Sequence, residues 1–367
     1  MADGPPEPSE SDVRHPRKLP DSTHHVLVKL EAIHVDMPGV DVLPFTYEII
    51  EYEYTPSENT DLVAGRIRDA SIVITTTTPI NAVTLGEARY LSCVITESTG
   101  TDHIDLEECR RRGITVMRSP NATVEAVSEH ALAMYFATRR RLTVLHDAML
   151  DYDATRPNLW KEKGSMSSML RDSEDRPPRT CQNETVGIIG YGPIGQRIAS
   201  LCRSLDMQVL VAARKPYDYL PDDVPAGRTP SLTVIRRATV IFVVLPLNPQ
   251  TRRIIGPAEL DAARSDCVIV NVGRGGTVDE RALLAAVRER RIYGAATDVF
   301  ETEPAGSDAD SVLLGREVKR EGLNLVLTPH LAWCADATRM NIRRVVGENI
   351  RTFVDGGLTN VVLDART

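Results

Sequence analysis

Apolar positions fall into short β-branched runs alternating with stretches of helical spacing. HVLVKL at 25–30 predicts a strand, and ASIVITTTT at 70–78 a buried strand ending in a polar loop. YLSCVIT at 90–96 reads as another strand. STGTDHIDLEECRRRG at 98–113 reads as a loop leading into a short helix, and ITVMRSP at 114–120 as a further strand. Residues 31–60 carry few clear signals. The alternation fits a small α/β domain with a parallel sheet. VEAVSEHALAMYFATRRRLTVLHDAML at 124–150 predicts one long helix, long enough to bridge two domains. The polar stretch 151–183, with RPP at 176–178, predicts an irregular linker or external loop.

The pattern then sharpens. Strands are predicted at 185–190, 208–213, 239–247, 267–272, 292–300 and 323–330, with helices at 193–205, 231–238, 259–266 and 279–291. This is the spacing of a doubly wound sheet. A final helix over about 336–355 is expected to return to the first domain. The division expected is a flexible Pro-rich tail at 1–24, a smaller α/β domain from 25–123 plus 334–367, and a doubly wound domain at 124–333 with the linking helix and the irregular 151–183 segment.

With 367 residues, 42% of them hydrophobic, the chain can bury two cores. Its 43 basic residues against 51 acidic give a net charge of -8, which argues against a general nucleic-acid binder. No apolar run is long enough to span a membrane. The amino terminus lacks a signal-type apolar segment, and six scattered cysteines without a CxxC suit a reducing, cytoplasmic setting rather than a disulfide scaffold or zinc site.

VGIIGYGPIG carries Gly190, Gly192 and Gly195 in GxGxxG spacing between a strand and a helix. Gly190 permits the tight turn, Gly192 the approach of a pyrophosphate, and Gly195 close helix–strand packing. The helix opening at Pro193 and Ile194 points unpaired N–H groups at a phosphate. At the end of the second strand, where an acidic residue commonly takes the ribose 2′-hydroxyl, stand Ala213, Arg214 and Lys215. Two cations and no carboxylate favour NADP(H), with NAD(H) the alternative.

Arg274, Glu303 and His330 each follow a strand of this domain. In an open α/β sheet they converge on the crevice beyond the strands' carboxyl ends. Arginine can hold a carboxylate through paired bonds, histidine can exchange a proton with a carbonyl oxygen, and glutamate can orient the imidazole. A structural ion-pair cluster is the competing reading.

Together with STGTDHIDL (98–106), GIIGYGPIG (187–195), VVLPLNPQT (243–251), VNVGRGGTVDERAL (270–283), DVFETEP (298–304) and TPHLAW (328–333), these residues resemble the D-isomer-specific 2-hydroxyacid dehydrogenases, on the glycerate/hydroxypyruvate (glyoxylate) reductase side. The resemblance spans about 70–355. It implies a Rossmann-type nucleotide domain inserted into a smaller flavodoxin-like α/β substrate domain, usually in a homodimer. It makes Arg274 the carboxylate binder, Glu303 the histidine's partner and His330 the acid/base. It puts Asp298 at the nicotinamide amide, Pro246 and Thr251 on the adenosine side, and Asn271 and Val272 near the nicotinamide. Backbone N–H groups of a substrate-domain loop would hold the acid's carboxylate, from Thr76, Thr77 and Thr78 or from Ser98, Thr99 and Gly100. Trp333 either walls the pocket or packs between domains, and Arg339 either faces substrate or makes a surface pair.

The implied reaction is reduction of glyoxylate or hydroxypyruvate to the D-2-hydroxy acid with NADPH. A dinucleotide-sensing corepressor of the same fold is the second reading, and formate or phosphite oxidation a third. Val124 stands where many relatives carry a hydroxyl residue, and 151–183 is longer than the usual connection. His103 and His130 read as packing residues. The basic runs 110–112 and 139–141 read as solvated helix faces.

Overall fold

The computed structural model describes residues 12–214 and 224–365. The chain starts with β1 (His24–Lys29), β2 (Thr46–Glu51), α1 (Thr60–Ile67), β3 (Ile72–Thr75), α2 (Ala82–Gly86), β4 (Cys93–Thr96), α3 (Leu106–Arg112) and β5 (Thr115–Met117). The short helices are fixed by their ends. In α3, Asp105 caps the first turn by accepting from the Glu108 N–H, Glu107 and Glu108 lie in the first turn, Arg110, Arg111 and Arg112 in the last, and Gly113 closes it with φ +73°. That charge order suits the helix dipole. Glu108 also binds Arg111 and Arg112, which accounts for the basic run at 110–112.

There follow α4 (Val124–Arg139), α5 (Leu142–Leu150), α6 (Leu159–Lys163), β6 (Thr185–Ile189), α7 (Pro193–Ser204), β7 (Gln208–Val211), α8 (Ser231–Arg237), β8 (Val240–Val243), α9 (Pro257–Ala262), β9 (Val268–Asn271), α10 (Glu280–Arg288), β10 (Gly294–Thr297), α11 (Arg316–Arg320) and β11 (Leu325–Leu327). The chain ends with α12 (Asp336–Val354) and β12 (Val361–Leu363). Contacts divide it into a unit running to Thr123 and resuming at Ala335, and a unit of Val124–Cys334.

In the first unit the order is β2-β1-β3-β4-β5-β12, parallel except for β12 against β5. This is the flavodoxin-like order with one antiparallel edge. The sheet is covered on both faces, by Val63, Ile67, Leu85 and Cys109 on one and by Ile342, Val346 and Ile350 of α12 on the other. In the second unit the order is β7-β6-β8-β9-β10-β11, all parallel. A further parallel bridge, Ala212 to Thr229, lies beyond β7. The order therefore reverses between β6 and β8, where a Rossmann-type sheet binds its ligand.

Three expectations change. The predicted flexible tail does not extend to residue 24. Over residues 12–23 the chain is tied down, with the Arg14 N–H donating to the Tyr52 hydroxyl at 2.8 Å and the Arg17 N–H to Glu48 at 2.9 Å. The helix predicted over 124–150 is two helices. It breaks at Arg141, which takes φ +48°. On one side of the break Arg139 is drawn into the sheet's base, whereas α5 on the other side buries none of its residues. The segment 151–183 holds α6 and two 3-10 turns. Its second half is laced to the sheet's amino-terminal edge, with Arg179 on Asp266 at 2.8 Å and the Tyr293 hydroxyl on the Leu170 carbonyl at 2.8 Å.

Arg139 is 2% exposed. It donates to the carbonyls of Asp266 (2.8 Å) and Thr239 (2.7 Å) and pairs with the fully buried Glu184 at 2.7 Å. Glu184 also accepts from the Tyr135 hydroxyl at 3.0 Å. Removing one partner of such a pair leaves a buried charge uncompensated. Arg139→Met should therefore destabilise the protein by about 3–5 kcal/mol, read as a lower urea midpoint. A midpoint equal to wild type would mean that this pair does not hold the base of the sheet.

Candidate active site

The loop after β6 is shaped by what a side chain could not do. Gly190 has φ +102°, and a Cβ there would lie 2.2 Å from the Val244 carbonyl oxygen. A Cβ on Gly195 would lie 2.0 Å from the Gly190 carbonyl oxygen, so α7 can cross β6 this closely only without one. At Gly192, the N-cap of α7, a Cβ would meet nothing within 4 Å. Its backbone faces open space at a helix amino terminus, with Pro193 opening the first turn. Such a loop can receive a dinucleotide pyrophosphate.

Ala213 is buried at the end of the second strand, its N–H bonded to the Thr229 carbonyl at 2.8 Å, and Arg214 beside it is exposed. Lys215 lies outside the described residues. A cation absent from the sequence reading stands near: the Arg228 guanidinium lies 4.5 Å from the centre of the Tyr191 ring, inside the glycine loop. Pro246 and Thr251 belong to one folded turn after β8, closed by the Thr251 hydroxyl on the Pro246 carbonyl at 2.6 Å.

At the end of β9, Asn271 is 3% exposed. It builds the turn that presents Arg274, accepting from the Gly273 N–H at 3.1 Å and donating to the Arg274 carbonyl at 3.2 Å. Val272 beside it is buried. Cβ atoms on Gly273 or Gly275 would overlap the backbones of Leu245 and Phe300, so the arginine sits between two positions that admit only glycine.

Glu303 and His330 meet. Glu303 accepts from the Phe300 N–H at 2.8 Å through one oxygen, and its other oxygen lies 2.6 Å from Nδ1 of His330. Burial alone would raise the Glu303 pKa. The His330 bond and charge, the Phe300 amide and the charge of Arg274 outweigh it and hold the carboxyl below its ordinary 4.5. An ionised Glu303 accepts only, so Nδ1 of His330 carries a hydrogen and Nε2 is the nitrogen free for proton exchange.

His330 itself has φ +52°. The turn is held by Asp298, 1% exposed. One carboxylate oxygen of Asp298 accepts from the Thr328 hydroxyl (2.6 Å) and the Leu331 N–H (3.0 Å), the other from the Ala332 N–H (2.9 Å), and its carbonyl accepts from the His330 N–H (2.8 Å). Residue patterns did not reveal this role, nor that of His130, whose Nε2 lies 3.1 Å from the Thr328 hydroxyl.

Other expected residues fall elsewhere. The amides of Thr76, Thr77 and Thr78 each donate to Glu31 at 2.8 Å, as does the Thr77 hydroxyl at 2.7 Å. An internal carboxylate, 1% exposed, thus fills the nest expected to hold a substrate's carboxylate. Beside it the Thr76 hydroxyl donates to Glu97, which pairs with the buried Lys29. Thr99 donates through its hydroxyl to the Ser119 carbonyl at 3.2 Å, and Gly100 follows in the same loop. Trp333 packs against the second unit's core. Arg339 makes an exposed pair with Asp36 at 3.3 Å.

The chain thus carries the fold and the oriented histidine of a dinucleotide-dependent oxidoreductase. Residues 136–332 match the family model described as D-isomer specific 2-hydroxyacid dehydrogenase, NAD binding domain. A glycerate dehydrogenase of Methylorubrum extorquens is 31% identical over 321 residues, covering 87% of this chain and 93% of the relative. A glyoxylate reductase of Thermococcus gammatolerans is 28% identical over 324 residues, 87% of this chain and 90% of its own. The fold is shared with an NADPH-dependent glyoxylate/hydroxypyruvate reductase of Sinorhizobium meliloti solved with NADP and malonate, at TM-score 0.70, 24% identity, and coverage of 93% of this chain and 97% of that one. The chain belongs to the D-isomer-specific 2-hydroxyacid dehydrogenase family and is an NAD(P)-dependent oxidoreductase acting on a small 2-oxo or 2-hydroxy acid. Among the described residues no helix is long and apolar enough to cross a membrane.

Because the folded-state pKa of Glu303 is depressed, the stability it contributes is complete above the ordinary value of 4.5 and is lost as pH falls through the lower folded value. Glu303→Gln should therefore lower the urea midpoint at neutral pH, and the gap to wild type should close in acid below 4.5. A gap independent of pH would contradict the ion pair.

Proposed function

We propose that the protein reduces glyoxylate or hydroxypyruvate to the D-2-hydroxy acid with NADPH. The observation that carries this reading is the 2.6 Å contact of Glu303 with Nδ1 of His330, which leaves Nε2 to serve the substrate oxygen. The glycine loop would hold the pyrophosphate of NADPH, whose reduced nicotinamide would supply the hydride. Arg274 takes the acid's carboxylate through paired bonds. His330 donates the Nε2 proton to the carbonyl oxygen as negative charge grows there, while Glu303 holds the ring through Nδ1. In the reverse direction neutral Nε2 accepts the hydroxyl proton.

Arg214, exposed just after β7, supports a 2′-phosphate. Arg228 on Tyr191 adds a second cation near the same loop. A homodimer is also part of the proposal: Leu142, Leu150, Tyr152 and Trp160 are each more than half exposed, on or just after an apolar helix that buries nothing in the single chain. Six free thiols suit a reducing, cytoplasmic setting.

Steady-state kinetics with a panel of 2-oxo acids, each with NADPH and NADH, tests the reading. Glyoxylate or hydroxypyruvate with NADPH should give the highest kcat/KM, and Arg214→Ser should narrow the preference over NADH. His330→Gln should lower kcat about 10²–10⁴-fold with little change in the KM for NADPH. Turnover preserved in that variant would remove His330 from the mechanism. Sedimentation velocity at micromolar concentration should give twice the mass of one chain, and Leu150→Glu should return it to the single-chain mass.

A further inference from the structure

We propose that His130 is a positioning residue: it is the first donor in a hydrogen-bonded chain, through Thr328 to Asp298, that keeps the loop carrying His330 in register. The inference rests on the reading of His330 as acid/base.

Hydrogen counting fixes the direction of the chain. The Thr328 hydroxyl has one hydrogen. It lies 2.6 Å from an oxygen of Asp298, a carboxylate otherwise approached by the N–H groups of Leu331 and Ala332. All of these neighbours are donors to an acceptor, so the hydroxyl spends its hydrogen on Asp298. Its lone pairs are what remain for Nε2 of His130 at 3.1 Å. That nitrogen must then donate, which selects the Nε2–H form of a neutral ring. Nε2 is also 3.8 Å from the Asp298 oxygen, beyond a hydrogen bond but close enough for charge to be felt.

The chain matters because the loop is strained. His330 has φ +52°, a region unfavourable for a non-glycine residue that persists only where the surroundings enforce it. The donors of 328–332 that enforce it converge on Asp298, apart from the Thr328 N–H, which goes to the Thr297 carbonyl, and with the His330 N–H shared between the Asp298 and Thr328 carbonyls. Of these, Thr328 supplies the side-chain link, and a free hydroxyl could rotate away. His130, on α4 and 198 residues distant in sequence, occupies the hydroxyl's acceptor side and leaves it one good orientation. It thereby ties the loop to a sixteen-residue helix. A histidine serving only as filler would be replaced equally well by an apolar side chain.

Four variants separate these roles: His130→Leu, His130→Gln, Thr328→Val, and the Leu/Val double. With glyoxylate and NADPH, His130→Leu and Thr328→Val should each lower kcat about ten-fold, and the double should be no slower than either. His130→Gln, which keeps a donor, should stay within about two-fold of wild type and melt at a higher temperature than the Leu variant. The KM for NADPH should hold within about two-fold throughout. A Leu variant at wild-type turnover, a Gln variant as slow as Leu, or losses that multiply in the double would overturn the proposal. Long-range ¹⁵N–¹H spectra of the cofactor-free protein give a reading without catalysis: the neutral His130 ring should be the Nε2–H tautomer, and an Nδ1–H tautomer overturns the chain. Turnover surviving in His330→Gln would instead overturn the acid/base assignment, and the His130 tautomer would still judge the chain.

Discussion

A parallel sheet delivers every strand's carboxyl end to one edge, and the arrangement of this site follows from that constraint. Gly190 leaves β6, Arg214 follows β7, Pro246 follows β8, Arg274 follows β9, Asp298 follows β10, and His330 follows β11. Residues spread over about 140 positions reach a common edge because each strand needs only a short turn to present its side chain. The reversal of strand order between β6 and β8 opens a crevice on that edge, beside the amino terminus of α7.

The imidazole is controlled at two levels. Glu303 sets the ring, fixing which nitrogen carries the resident hydrogen. Asp298 sets the backbone beneath the ring, collecting donors from the turn that contains it. The two carboxylates share neither ligands nor exposure: Asp298 is sealed at 2% side-chain exposure, Glu303 open at 31%. A buried acceptor saturated with N–H and O–H donors acts as a rigid post, while a partly open one can follow movement of the ring it holds.

Features fixed by local sterics were legible in the sequence. Glycines that no other residue can replace announce themselves by spacing, as at Gly190 and Gly195. Strands buried on both faces read as continuous apolar runs, as with IVIT of β3 and VIVN of β9. Less visible was β2, an edge strand with five of its six residues exposed or partly so, whose TYEIIE mixes polar and apolar positions. The antiparallel β12 is three residues long and has no period to detect. The break at Arg141 eluded the helical pattern because its cause is tertiary, the burial of Arg139. His130 and Glu31 were opaque for a related reason. Their partners lie 198 and 45–47 residues away, and nothing in the neighbouring sequence marks a hydrogen bond to come.

The nest at the end of β3 has a further consequence. Glu31 and the Thr76–Thr78 loop form one inseparable module, although almost fifty positions part them in the chain. Grafting the four-threonine loop into a relative without the glutamate would strand three inward-facing amides, and grafting the glutamate alone would seal a bare anion in an apolar interior. Any recombination of this protein with its kin has to carry both pieces across the same crossover.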